Sequence, residues 1–395
     1  MKRIMILGAS VGQLPIIKKV KELGYELAVV DFNPEAVGIP YADVFYNVST
    51  TDIKAVVDAA KDYRPDGITT VQTDMPMRAI AAACKELCLV GITPDTAFRA
   101  TDKEAMIKAF KQGGVSSPWY NVFSIADRCE TIDCKISYPC IVKPVDNSAS
   151  RGVTLVSNKD ELFKAIEYAR KESGNGRIII EEYMVGPEIS VEIIMLNGNA
   201  HVIAVTDKLT TGAPHFVEMG HSEQSMIDVE TIKQIEALAA KAMLAVGVMN
   251  GPGHVEMIVT QSGPQIVELG ARLGGDFITT DLVPLSTGVD MLKAVIDIAC
   301  GDQPDIVPKF NKGSAIRFVS SENGRVIEIE GIEEAKKLNG VIKVECLKCV
   351  GDVVPPLNSS LDRVGYVIAQ AETTDKAVDI CEKAMKKIRY IIDRG

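Results

Sequence analysis

The spacing of apolar residues changes several times along the chain, and each change marks an element. Over residues 1–95, short β-branched runs alternate with stretches that are apolar every three to four positions: "RIMILG", "LPIIKKVKELG", "ELAVVDFNP", "TDIKAVVDAAKDYRP" and "GITTVQ". That rhythm predicts βαβαβ, a parallel sheet with helices packed on it. A helix is expected at "TDKEAMIKAFKQGG", capped by Thr101 or Asp102 and stopped by Gly113 and Gly114. The pattern then shifts to strands "YPCIVKPV", "GVTLVS" and "RIIIEEYM" around one amphipathic helix, "KDELFKAIEYARKES". To about residue 300 it predicts strands "ISVEIIML", "AHVIAVTDKL", "HVEMIVT" and "QIVELGA" with the helix "VETIKQIEALAAKAMLAVG". Further strands, an Asn-Gly turn at Asn323-Gly324 and a helix from about Thr374 complete the chain.

Size and composition narrow the class. At 395 residues and 42.7 kDa the chain exceeds what one hydrophobic core usually serves, so several domains are expected. With 47% hydrophobic and 24% charged residues it reads as an ordinary globular protein. A net charge of -10 argues against a nucleic-acid surface. No run approaches the roughly 18 apolar residues of a membrane helix, and "MKRIMILGAS" reads as a first strand rather than a secretory signal. Nine scattered cysteines fit a reducing, cytoplasmic compartment. Among them "CLKC" (Cys346, Cys349) lacks the second pair that a zinc site needs.

Chemistry enters at "QIVELGARLGGD". In a strand Glu268, Gly270 and Arg272 share a face. Across the "QSGP" turn, Glu256 falls opposite Leu269 or, one register away, opposite Glu268; in the second case two carboxylates meet, and a hard cation such as Mg2+ would relieve them. With the faces reversed, each glutamate is solvated or paired with a lysine. Lys143, inside "YPCIVKPV", is an ammonium among buried positions and calls for an anion. The following "DNSASRGV" is a small-residue loop able to cradle phosphate through N–H groups, or a plain mobile loop. In "RIIIEEYMVGPEISVE", the backbone of Glu182 to Met184 is free to meet a planar base, with Glu188 as acceptor for sugar hydroxyls; core packing is the alternative. His215, Glu218 and His221 lie in a loop from Thr210 to Ser225, suited to an ammonium group or to base assistance by histidine, or else simply solvated. Lys208 precedes that loop as a phosphate contact, and Arg317 is a carboxylate partner or a structural arginine. At the amino terminus, "GASVGQ" with Asp31 gives a broken dinucleotide fingerprint, leaving an NAD-dependent oxidoreductase as a rival.

Taken in order, these motifs resemble the ATP-grasp superfamily of ATP-dependent ligases. "ELGARLGGDFITTDLVPLSTGVDML" and "GAPHFVEMGHSEQS" are most similar to its carboxylate-amine branch, which includes the L-amino-acid (dipeptide) ligases. The resemblance implies an α/β fold: a doubly wound N-terminal domain over 1–100, and a two-lobed α+β ATP-grasp fold over 101–305. Within the latter, 115–187 form a lid on the adenine side and 188–305 carry metal and substrate. A small α+β part over 306–395 then packs on that core. It implies ATP with one or two Mg2+ ions, Mn2+ serving as an alternative. Lys103 and Lys143 would hold phosphates, Ser148, Ser150 and Gly152 the closing loop, Glu181, Glu182, Tyr183 and Met184 adenine, and Glu188 ribose. Glu256 and Glu268 would bind metal. Arg272, Lys208 and His221 would serve catalysis, and His215, Glu218, Gly274, Gly275 and Arg317 the substrates with Arg272. Gly270 stands where many members have asparagine, which removes a ligand for a second ion. The expected partners are a small carboxylate and an amine, without nucleic acid or membrane, in a homodimer. The expected reaction passes through an acyl phosphate; another nucleophile, as in carbamoyl-phosphate synthases or with a thiol, and a non-catalytic nucleotide-binding protein are the alternatives.

Overall fold

The computed structural model describes residues 1–147, 151–214 and 216–393. Ser148, Ser150 and His215 lie outside the described residues. Strands Arg3–Leu7, Glu26–Asp31, Val44–Asn47 and Gly67–Thr69 form a parallel sheet with Arg3–Leu7 and Glu26–Asp31 at its centre. Their unbroken apolar runs follow from burial on both faces. Ile4, Ile6, Leu27 and Val29 pack with Ile16, Ile17 and Val20 of the helix Leu14–Glu22. Met5, Leu7, Ala28 and Val30 pack with Val56, Ala60 and Tyr63 of the helix Ile53–Tyr63. The glycine turn is closed by the protein's own groups: the Ala9 N–H donates to Asp31 at 2.7 Å, and a Cβ on Gly8 would lie 3.0 Å from Gln13 Oε1. Both sequence signals of the oxidoreductase alternative are thus spent on internal contacts.

A second sheet, antiparallel, takes the order Tyr120–Phe123, Ile178–Glu182, Cys140–Pro144, Thr154–Val156. Helix Lys159–Glu172 covers it through Leu162, Ala165, Ile166 and Ala169. Before this sheet, helix Pro94–Thr101 ends where Asp102 caps the next helix, Lys103–Gln112, by accepting from the Ala105 N–H. The capping aspartate interrupts what would otherwise be one long helix, and so sets Lys103 at a helix start.

The largest sheet has eight strands in the order Gly263–Gly270, Gly251–Thr260, Glu188–Leu196, Asn199–Thr210, Glu218–Glu223, Gly313–Val319, Gly365–Ala371, Val341–Cys346. Ile189, Val191, Ile193, Val255, Met257 and Leu269 form an apolar face packed on Ile235, Ala239, Ala242 and Met243 of the helix Val229–Val246. Three expectations are corrected here. Glu218–Glu223 is a strand within the expected loop; "EMGHSE" lacks an apolar period because one of its faces belongs to a polar cleft. The segment after residue 306 does not merely pack on the core, since three of its strands extend this sheet by backbone hydrogen bonds. Asn323-Gly324 leads from this sheet into a small separate one, Val353–Val354, Gly324–Glu330, Arg389–Asp393, and not into a paired neighbour.

Glu223 is wholly buried and accepts from Thr206 Oγ1 at 2.8 Å and Ser286 Oγ at 2.9 Å. Burial lifts its carboxyl to about 8 against the pull of those hydroxyls, and Glu192 adds to the rise. A carboxyl raised in the fold favours the native state most below its ordinary value of 4.5, and that contribution is lost as pH rises through about 8. Glu223→Gln is therefore expected to flatten the decline of the urea midpoint between pH 5 and 9. Equal declines in both proteins would show that Glu223 is ionised in the neutral fold.

Candidate functional site

The opposite face of the large sheet is polar, and strand alternation explains which side chains share it. His254 pairs with Glu192, Glu256 with Ser190, and Ile258 with Glu188, so these residues look the same way. Two bulges add to the set. Val267 is an extra residue that shifts the register between Glu256 and Met257, and Glu256 thereby stands opposite Glu268. Were the register of Met257 and Ile266 continued without the bulge, Glu256 would face Val267, and Glu268 would point into the apolar core. Met219 is likewise extra: Thr210 pairs with Glu218 and Lys208 with His221, which brings Glu218 and His221 to one face although they are three positions apart.

Carboxylates drawn from water need cations. Lys208 supplies Glu188 at 2.5 Å and Glu256 at 2.9 Å, and Lys103 supplies Glu268 at 2.8 Å. His254 Nδ1 meets Glu192 at 2.5 Å and its Nε2 meets Glu256 at 3.3 Å. Burial alone would raise Glu256, but Lys208 and His254 prevail and hold it well below the ordinary carboxylate range. Burial also opposes ionisation of Glu268, and Lys103 keeps it lowered. His254 goes the other way: burial disfavours its charge, yet Glu192 and Glu256 lift it to about 9, so it is an imidazolium at neutral pH. Two adjacent ionised carboxylates, with no closed cage of three or more His, Cys, Asp or Glu among the described residues, fit Mg2+, which keeps phosphate and water oxygens as its other ligands.

Over this face stands the four-stranded sheet. Its Lys143 is buried and meets Glu181 at 2.6 Å, so the anion that this lysine requires is the first residue of the expected adenine segment. The Glu182 N–H donates to the Trp119 carbonyl at 3.1 Å and is not free as expected; Tyr183 and Met184 lie beyond the strand end. Gly152, at φ +78°, passes so near Pro144 and Glu172 that a Cβ would lie 2.9 Å from either. A cleft of about 430 Å³ between the sheets is lined by Lys103, Lys143, Glu181 to Met184, Glu188, Lys208, Glu218, Glu256 and Glu268.

Two further chambers adjoin it. One, of about 250 Å³, holds Lys208, Glu218, His221, Arg272, Gly275 and Asp276. The other, of about 340 Å³, lies toward the N-terminal sheet. Arg272 forks Asp74 at 3.1 and 2.9 Å, above bare Gly270, where a Cβ would lie 2.8 Å from Asp74 Oδ1. Gly274 leaves space for the His254–Glu192 pair, since a Cβ there would meet His254 Nδ1 at 2.6 Å. His221 Nε2 is 3.2 Å from Asp276, which Arg363 forks at 2.7 and 2.6 Å, while His221 Nδ1 has no partner among the described residues. Glu218 accepts from Ser360 Oγ. Arg317 stands apart. It pairs with Gly220, not His221, so it occupies the other face, where it donates to the His221 and Ile316 carbonyls and lines none of the three cavities.

Asp74, His254, Asp276 and Arg363 were not read from the sequence as site residues. His254 stands two before Glu256 and was open to the same face argument. Asp276 lies inside the quoted glycine stretch. Asp74 and Arg363 carry no local signal.

The chain matches an ATP-grasp domain over residues 136–281 and the L-amino acid ligase C-terminal domain 2 over residues 317–393. It is 24% identical over 354 residues to an uncharacterized protein of Sinorhizobium fredii, covering 87% of this chain and 73% of that one. It is 27% identical over 316 residues to the Alanine--anticapsin ligase of Bacillus subtilis, covering 72% of this chain and 66% of that one. The L-amino acid ligase of Bacillus licheniformis superposes with a TM-score of 0.85 at 21% identity, covering 100% of this chain and 99% of that one. Phosphoribosylglycinamide synthetase of Anaerococcus prevotii gives 0.79 at 24%, covering 99% and 100%. These superpositions establish the fold, and no described helix is long and apolar enough to cross a membrane. By its two domain matches, the chain carries an ATP-grasp domain followed by an L-amino acid ligase C-terminal domain.

Proposed function

We propose that the chain is an ATP-dependent carboxylate–amine ligase that makes an amide bond between amino-acid-like substrates. The observation that carries this reading is the position of Glu268, which lines the cleft and both adjoining chambers. A reaction with three participants needs three spaces meeting at one charged point. The resemblance to the Alanine--anticapsin ligase supports amino-acid substrates.

In this reading a substrate carboxylate oxygen attacks the γ-phosphorus of ATP while the bond to ADP breaks. The amine nitrogen then attacks the acyl carbon, phosphate leaves with its oxygen, and the nitrogen gives up its proton. Lys103 and Lys143 hold the phosphates, Glu181 to Met184 border adenine, and Glu188 accepts from ribose. Glu256 and Glu268 hold Mg2+, which when bound neutralises phosphoryl charge. Arg272 and Lys208 steady the reacting carboxylate and the transferred group, and Glu218 with His221 borders the substrate's amino group. Positioning and charge neutralisation carry most of the acceleration.

The direct test is phosphate release by purified protein with MgATP across a matrix of carboxylic acids and amines, with mass analysis of products. Release that requires both an acid and an amine is expected, and none across the matrix would end the reading. Arg272→Ala is expected to abolish turnover while ATP affinity by calorimetry changes less than about tenfold, because the arginine acts on the reacting groups; parallel losses would contradict its role. Glu268→Gln is expected to weaken Mn2+ binding followed by electron paramagnetic resonance, and unchanged ion affinity would refute the metal assignment.

A further inference from the structure

The loop that follows the strand Gly67–Thr69 is anchored so that it delivers one side chain to the site. Its base is tied to the N-terminal sheet, where Thr70 Oγ1 donates to the Leu7 carbonyl at 2.7 Å and Gln13 Nε2 donates to the Val71 carbonyl at 2.8 Å. Gln72 then takes φ +63°, a left-handed conformation uncommon for a residue with a side chain, and such outliers gather where a site fixes its groups. Its side chain lies between two glycines: a Cβ on Gly12 would stand 3.4 Å from Gln72 Oε1, and one on Gly275 would stand 3.7 Å from Gln72 Cβ. Asp74 follows, and its carbonyl accepts from the Met77 N–H at 3.1 Å as the helix Met77–Leu87 begins. The glycine stretch thus makes room twice for this loop, at Gly275 for Gln72 and at Gly270 for Asp74.

An arginine has five N–H bonds, and their partners decide what the fork leaves over. Arg272 Nε and Nη2 donate to the two oxygens of Asp74, and Nη1 donates to the Leu273 carbonyl at 3.3 Å. Among the described residues nothing takes the other two, one on Nη1 and one on Nη2. Two N–H bonds on neighbouring nitrogens can serve a second pair of oxygens, and Arg272 lines the 250 Å³ chamber together with Lys208. Asp74 therefore need not leave when a substrate carboxylate arrives. Resting on the ligase reading above, we infer that Asp74 is a positioning residue: it clamps one edge of Arg272 and so turns the terminal nitrogens to the reacting carboxylate and the transferred phosphoryl group. Because the clamp cancels part of the arginine's charge, it weakens attraction for the bound acid and contributes orientation, which is felt in kcat.

The test separates the clamp from a gate that competes with substrate. The full chain with MgATP is given carboxylic acids singly, L-amino acids among them, with hydroxylamine, whose acyl hydroxamate reports activation of the acid without an amine substrate. In Asp74→Asn, which keeps the shape and loses the charge, kcat with an acid so identified is expected to fall on the order of 100-fold, the loss that a misplacement of about 1 Å brings. KM for the acid is not expected to rise, and ATP affinity by calorimetry is expected to stay, which also reports an intact fold. In the Arg272→Lys background, which has no guanidinium plane to hold, the same change is expected to have little further effect. Undiminished kcat in Asp74→Asn would overturn the inference, and a lower KM for the acid beside it would mark Asp74 as a competitor of the substrate. An equal loss in the Arg272→Lys background, or a loss of ATP affinity in step with kcat, would overturn it as well. Each of these outcomes leaves hydroxamate formation by the unaltered protein standing, whereas no hydroxamate from any acid would overturn the ligase reading and this inference together.

Discussion

Charge compensation on a desolvated sheet face is the constraint on which the rest of the molecule turns. One side of the eight-stranded sheet is an ordinary apolar core against the helix Val229–Val246. The other collects Glu188, Glu192, Glu256 and Glu268, and each would be expensive if left alone out of water. Lys208, Lys103 and His254 match them at 2.5 to 2.9 Å, from a neighbouring strand, a helix start and the same strand as Glu256. Such a face cannot be built from one segment. It requires strands and helix start in register before its charges are satisfied, which ties the fold to the site. The same arrangement suits a phosphate-bearing ligand: an incoming anion can take the lysines while an incoming cation takes the carboxylates, so that partners are exchanged and no charge is left bare.

Much of the fold was legible because it depends on period. Parallel strands covered on both faces gave continuous apolar runs, and Leu14–Glu22, Lys159–Glu172 and Val229–Val246 kept a helical stripe. The strand Glu218–Glu223 had no such signal, since neither of its faces supplies an apolar repeat and Met219 breaks the alternation. The bulge at Val267 has the same character. Pattern alone left Glu256 opposite either Leu269 or Glu268; the observed pairing is the latter, and it arises from one inserted residue that no composition rule marks.

The site was legible in a different way. Its individual residues admitted structural readings, and only their order along the chain, through resemblance, singled them out. What lay outside that order was missed. Asp74 meets Arg272 across 198 positions and Arg363 meets Asp276 across 87, separations over which no periodicity holds. Arg317 shows the converse error: it is the right residue type for a carboxylate on the wrong face of its strand, because its partner is Gly220 and not His221.

Gly270 shows how the N-terminal sheet enters the chemistry. Judged against a pattern that has asparagine there, the glycine is a deletion, a ligand lost. Judged by volume, it is a space in use: a Cβ would stand 2.8 Å from Asp74 Oδ1 and 3.0 Å from the Arg272 guanidinium carbon. A side chain at 270 and the Asp74–Arg272 fork compete for the same place. The chain has kept the fork, and with it a carboxylate delivered by the loop that precedes the helix Met77–Leu87. The doubly wound unit is thus a wall of the candidate site, since its loop holds Arg272 and its helix carries Arg78 into the adjoining chamber. A parallel sheet presents such loops at the ends of its strands, where they can reach a neighbouring domain without disturbing either core.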